Sequence, residues 1–291
     1  MDSSIADTVA AVRPESAAAV ADPRHALTRC AWILADEGHE SGLAGQLTAR
    51  GPSAGTFWTL PLGLAFDEAE EASWLLIDDA LTVLEGDGSH GSRAPGRPKP
   101  GDAPSGGSER SERGGFVVEP NPATRFHLWI YRARPDVTAI VHTHPPAASA
   151  LAAAEQPLIV AHMDATPLFG DTAFLGHWPG LPTADREGEI IAASLGAKHA
   201  LLLAHHGLLT AGRTIQEAAF LAVFMERMAR QQIDAAKVGG AKPIDVEEAR
   251  RARDFLRTDR IMNITFDAWV RKTEQRRGLA KAAAPFDRPE R

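Results

Sequence analysis

Apolar residues recur along this chain at two periods, and the switches between them divide it into elements. From Arg24 to Glu37, Ala26, Leu27, Cys30, Ala31, Ile33 and Leu34 fall near helical spacing, which predicts an amphipathic helix ended by Gly38. The glycines at 42 and 45 then lead into Gln46-Leu47-Thr48-Ala49-Arg50, a turn entering a strand. Thr56–Leu60 predicts a second strand, closed by Pro61-Leu62-Gly63, and Trp74–Asp78 a third. Pro122 and the apolar spacing after it predict a helix running to Arg134. Pro135-Asp136 turns the chain into Val137–Val141, an apolar, β-branched run that reads as a short buried strand. A small-residue helix over Ala147–Ala154, short strands at Leu158–Val160 and Ala173–Leu175, a helix over Asp185–Leu195 and a strand at Leu201–Ala204 follow. Thr214-x-x-Glu217 is a capping box opening an amphipathic helix with Ala218, Leu221, Phe224, Met225 and Met228, whose methionines fit core packing. Glu247–Leu256 predicts another helix.

Three stretches break these periods. Residues 1–22 are rich in Ala, Asp and Ser and predict a disordered N-terminal extension. Residues 86–115 are rich in Gly, Pro and Ser, cannot bury a core, and predict a flexible insertion loop in which His90 is no ligand. A basic C-terminal tail over 271–291 is expected to fray from Lys272, which leaves 23–270 as the folded domain. Composition removes several classes of function. With a net charge of −7, the chain has no electrostatic footprint for nucleic acid or an anionic membrane. A single cysteine, Cys30, excludes an internal disulfide and a cysteine-based zinc site. No apolar run approaches the ~18 residues of a membrane span, and the start lacks the basic and apolar regions of a secretory signal. A cytoplasmic protein is expected.

The candidate chemistry lies at two strand ends. His142 and His144 stand two residues apart, so on a strand they share a face and their imidazoles converge. Neutral imidazole suits Zn, Fe, Co, Ni and Cu better than Mg or Ca. The competing reading is two ordinary polar residues at a strand end. The strand Leu201–Ala204 runs into His205-His206-Gly207, and the two histidines face opposite ways if the strand continues. One of them can then complete a three-histidine set, which leaves positions open for substrate as catalytic sites do. The turns at Gly45 and Gly63 read equally as hairpins or as a cleft lined by backbone amides. His127, inside a helix, reads as packed or solvent-facing.

Three motifs carry a resemblance to a known family. They are Gly-Leu-Ala-Gly-Gln-Leu-Thr-Ala-Arg at 42–50, Arg-Ala-Arg-Pro-Asp-Val-Thr-Ala-Ile-Val-His-Thr-His-Pro-Pro at 132–146, and Leu-Leu-Ala-His-His-Gly-Leu-Leu-Thr-Ala-Gly-Arg-Thr-Ile-Gln-Glu-Ala at 202–218. From about Leu27 to Asp234 the chain resembles the class II aldolase/adducin superfamily. The resemblance implies an α/β fold of three layers, α/β/α, around a central, mainly antiparallel sheet. It implies one divalent metal ion per subunit, zinc first with Fe, Mn or Co as alternatives, and a homotetramer with active sites between subunits. The metal ligands carry over to His142, His144 and His206, with an exchange between His205 and His206 left open.

Departures from the family pattern shape the expected reaction. Ala123 stands where the sugar-phosphate aldolases place an acid/base glutamate. Gln46, Leu62, Asn121 and Pro122 stand where those enzymes cradle phosphate, and leucine and proline side chains cannot donate hydrogen bonds to it. The substrate is therefore expected to be a small organic acid or carbonyl compound without a phosphate. The expected activity is that of a lyase cleaving a carbon–carbon bond, by decarboxylation or retro-aldol reaction, through a metal-stabilised enolate. Glu119, His205, His162 and His177 are the candidate acid/base residues, and Gly45, Gln46, Gly63 and Asn121 the candidate substrate contacts. Two alternatives use the same fold: an Fe(II)-dependent oxygenase or decarboxylase, and a non-catalytic adducin-like interaction domain, which the three retained histidines oppose.

Overall fold

The computed structural model describes residues 22–42, 44–86, 118–181 and 185–279. The expected N-terminal extension apart from Asp22, nearly all of the insertion loop with His90, and the last dozen residues lie outside the described residues. The chain runs through α1 (Arg24–Asp36), β1 (Gln46–Arg50), β2 (Thr56–Thr59), β3 (Leu75–Asp78), β4 (Val83–Glu85), α2 (Thr124–Ala133), β5 (Ala139–Thr143), α3 (Pro146–Ala153), β6 (Thr172–Leu175), α4 (Asp185–Leu195), β7 (Ala200–Leu203), β8 (Leu208–Gly212), α5 (Ile215–Ala236), α6 (Val246–Leu256) and α7 (Asp259–Arg276). The strands form one eight-stranded sheet in the order β4-β3-β2-β1-β5-β8-β7-β6. All neighbours are antiparallel except β6 and β7.

Side-chain alternation along each strand separates two cores, as a period of two requires. Leu47, Trp58, Leu76, Val141, Leu202 and Leu208 pack with α1, α3, α5 and α7 on one face. Phe57, Ile77, Ile140, Leu201 and Leu209 pack with α2 and α4 on the other. The result is the expected three-layer α/β/α arrangement. Thr214 caps α5 by accepting the Glu217 N–H at 3.0 Å, while the Glu217 carboxylate reaches one residue further back, to the Arg213 N–H at 2.9 Å.

Two expectations need correction. Leu158–Val160 is not a strand: Ile159 donates its N–H to Gln232 Oε1 of α5, and Val160 accepts from the Ile244 N–H, so side-chain and loop partners replace a sheet neighbour. The chain does not fray from Lys272, because α7 continues to Arg276. Buried Trp269 and Thr273 hold that helix, and the Thr273 hydroxyl donates to Asp36 at the end of α1 at 2.8 Å. No helix among the described residues is long and apolar enough to cross a membrane.

Candidate metal centre

Strand β5 ends where the β7–β8 hairpin turns, with Thr143 opposite Leu208 and His142 opposite Leu209. Even-numbered β5 residues face α2, so His142 packs edge-on against Phe126 with ring centroids 4.9 Å apart. Its Nδ1 lies 2.8 Å from the Leu208 carbonyl, which can only accept, so Nδ1 carries the proton and Nε2 offers a lone pair. That Nε2 stands 3.1 Å from His144 Nε2. Two nitrogens bound at about 2.0–2.1 Å to one tetrahedral ion stand roughly 3.4 Å apart. His206 closes the triangle, its ring centroid 4.7 Å from those of both His142 and His144. One ligand atom from each of the three lies within 4.8 Å of the others.

The turn chemistry explains why the rings converge. Sequence places His205 and His206 on a continuing strand, but β7 stops at Leu203 and both sit in the turn. His205 takes a left-handed backbone, φ 56°, and aims outward, where Nε2 meets Glu155 at 2.9 Å. His206 thereby turns toward the cluster, so the structure brings His206 and not His205 to the other two. Gly207 permits the close approach: a Cβ there would stand 2.5 Å from His144 Cδ2 and 2.5 Å from the Thr143 carbonyl oxygen.

Electrostatics favour neutral rings. Burial, then the neighbouring His206, His144 and His127, hold His142 well below the ordinary imidazole value. Burial lowers His144, and burial followed by the proximity of His144 brings His206 to about 4. No carboxylate joins the cluster among the described residues. His206 Nδ1 is buried without a hydrogen-bond partner among them as well. Three uncharged imidazoles with inward lone pairs and one orphaned buried nitrogen fit a borderline divalent cation such as Zn or Fe.

The other sequence candidates separate. Gly45, φ 110°, precedes the residue paired with His142, and its carbonyl accepts from Asn121 Nδ2 at 3.3 Å. Asn121 also accepts the Ala123 N–H, which fixes the start of α2. Gly63 sits in the adjoining turn at φ 92°, next to the Pro61–Pro120 bridge. Glu119 is exposed in the facing segment, where its carbonyl accepts the Leu62 N–H. His177 is exposed two residues beyond β6, which runs parallel to β7 and so ends on the triad's side of the sheet. Gln46 does not face substrate: its amide donates to Thr59, Thr124 and the Leu60 carbonyl and accepts the Leu47 N–H, all in the interior. His162 lies away from the triad, capping a short helical turn and facing Gln231 of α5. His127 is buried, as expected of a packed residue, and bonded to Thr48 at 2.9 Å.

Sequence reasoning missed the Leu208 carbonyl, which orients His142, and two side chains behind the ligands, the buried His39 and the half-buried Glu226. The glycine after His205-His206 signals the tight hairpin. A glutamate beside the apolar positions Ala222, Met225 and Ala229 of α5 signals a carboxylate with an internal partner.

The chain is 31% identical over 213 residues to the 4-hydroxy-3-prenylphenylpyruvate oxygenase/4-hydroxy-3-prenylbenzoate synthase of Streptomyces roseochromogenus subsp. oscitans, covering 72% of this chain and 66% of that protein. It is 30% identical to Decarboxylase NovR of Streptomyces niveus, covering 72% and 68%. Among solved structures it resembles the L-fuculose 1-phosphate aldolase from Glaciozyma antarctica PI12, with a TM-score of 0.71, 27% identity, and coverage of 88% of this chain and 89% of that one. Residues 25–233 match the family described as the Class II Aldolase and Adducin N-terminal domain, and the chain belongs to that family.

Proposed function

We propose that this protein decarboxylates a non-phosphorylated hydroxy- or oxo-carboxylate with the help of one divalent ion held by His142, His144 and His206. The observation that carries the reading is a convergent three-imidazole cluster with no carboxylate beside it among the described residues, together with Ala123 where the family resemblance expects the aldolases' acid/base. A bound cation supplies Lewis acidity, which spreads the negative charge left when a carbon–carbon bond breaks. The chain's own residues do the rest. The Leu208 carbonyl fixes the His142 ring, and burial keeps all three imidazoles unprotonated and able to act as ligands.

In decarboxylation of an acid whose carboxylate lies one carbon away from a carbonyl, the bond between the carboxylate and that intervening carbon breaks, its electron pair moves toward the carbonyl to leave an enolate, and carbon dioxide departs. A proton then returns to carbon. No base is required, which suits a site without the glutamate; retro-aldol cleavage would need one for the hydroxyl proton. Glu119 and His177, both exposed on the triad's side of the sheet, are the proposed proton donors, and Gly45, Gly63 and Asn121 the proposed substrate contacts. The two Streptomyces relatives, named for a decarboxylase and for an oxygenase acting on a phenylpyruvate, support an oxo acid without phosphate. The second of those names also favours the Fe(II)-dependent oxygenase alternative, for which three nitrogen ligands leave room. The reading extends to a cytoplasmic homotetramer.

Elemental analysis of protein purified without added metal tests the proposal, beside a His142→Ala/His144→Ala variant. About one zinc, manganese or cobalt per wild-type chain and none in the variant is expected, with carbon dioxide released from 3-oxo acids in the absence of oxygen. Stoichiometric iron with oxygen consumption would replace the lyase by the oxygenase. No metal in either protein after incubation with divalent ions would overturn both.

A further inference from the structure

The segment that carries two of the three ligands is gripped from behind. Thr143, between His142 and His144, points to the opposite face of the sheet. There its hydroxyl meets His39 Nδ1 at 2.8 Å, and both residues are fully buried. One turn further on, α3 begins at Pro146. Pro145, in the capping place, has no side-chain acceptor for the free N–H groups of the first turn. Glu226 of α5 takes that role across the helix pair: its two carboxylate oxygens accept the Ala147 N–H at 2.9 Å and the Ala148 N–H at 2.7 Å. The residues linking this grip to His144 are Pro145 and Pro146, whose rings fix φ and leave little slack.

From this geometry we infer that His39 and Glu226 are positioning residues for the metal centre, clamping residues 143–148 so that His142 and His144 stay at ligand spacing. Neither touches the cluster. They act through a strand end and a proline-stiffened turn, which together determine where the His144 ring stands relative to His142. The inference rests on the metal reading proposed above.

The test titrates the full chain, stripped by chelation, with Zn2+ alone and with Co2+ alone. Thr143→Val keeps the shape of the side chain and removes the hydroxyl that meets His39; Thr143→Ser restores it. Glu226→Ala removes both acceptors, and Glu226→Gln keeps one. Thr143→Val and Glu226→Ala are expected to weaken Zn2+ binding by about 10–100-fold, the usual loss when a group supporting a ligand is removed. They are also expected to alter the Co2+ visible absorption bands. Thr143→Ser should match wild type, and Glu226→Gln should fall between wild type and Glu226→Ala.

Thr143→Val and Glu226→Ala proteins with a native near-ultraviolet circular dichroism spectrum, wild-type affinity and wild-type bands would overturn the clamp alone. So would Thr143→Ser binding as weakly as Thr143→Val. If Glu226→Ala does not fold, the two Thr143 variants decide. A wild-type chain that binds neither ion would overturn the metal centre and the clamp with it.

Discussion

The two ends of strands β5, β7 and β8 hold histidines in opposite settings. At one end, His142, His144 and His206 converge with no acid beside them among the described residues, and burial favours their neutral form. At the other end, His199 stands just before β7 and meets Asp171 at 2.8 Å. Arg257 binds that same carboxylate and also Glu217, which is 2% exposed and held by Arg213 in turn. Arg213 continues to Asp259 at the start of α7. Each carboxylate of this network faces an arginine, so the network holds together without a ligand and fastens α6 and α7 to the sheet. The first end has lone pairs and no counterpart among the described residues. A histidine cluster invites a cation when its own fold leaves it unpaired, not because histidines are numerous there.

That contrast can be broken most sharply at His206. His206→Ala should take metal content from about one ion per chain to near zero by elemental analysis, while the metal-free protein keeps its fold by circular dichroism. Arg257→Met attacks the other end. It leaves the buried Glu217 and the half-buried Asp171 short of a partner, and urea denaturation should show a loss of about 3 kcal/mol, with Zn2+ affinity unchanged.

Acid titration separates the ends further. At Asp171 burial opposes ionisation, but His199 and Arg257 outweigh it; at Glu217 burial likewise opposes it, and Arg257 and Arg213 prevail. Both folded carboxyls therefore lie below their ordinary values of 3.8 and 4.5. A depressed carboxyl gives stability that is complete above the unfolded value and disappears as pH falls through the folded one. Wild type should thus lose stability below about pH 4.5, and Arg257→Met should lose less over that interval. The smallest effect is expected one residue from the largest. His205→Ala removes an exposed pair with Glu155 and should change stability by less than about 1 kcal/mol, leaving metal content intact.

Much of this layout was legible beforehand, for reasons specific to each element. The 3.6-residue period of α1 and the capping threonine of α5 mark those helices directly. The His-x-His spacing on β5 puts two rings on one face whatever the surroundings. The choice between His205 and His206 was not legible from period alone, because it depends on a left-handed residue inside the hairpin. Gln46 looked like a substrate contact until its amide met Thr59 and Thr124, a pairing made across strands and from α2. Leu158–Val160 has the composition of a strand, but Gln232 and Ile244 take its hydrogen bonds. Long-range partners decided each of these cases, and a single sequence does not show them.

The ligand topology carries a consequence for how the chain moves. His144 and His206 lie about sixty residues apart in sequence, and the stretch between them holds α3, β6, α4 and β7. One ion bound to both would close that stretch into a loop, as a cross-link does, restricting the unfolded chain more than the folded one. Removing the ion would lower the cost of local opening across this whole interval, so hydrogen exchange there would quicken together, from the start of α3 to the end of β7.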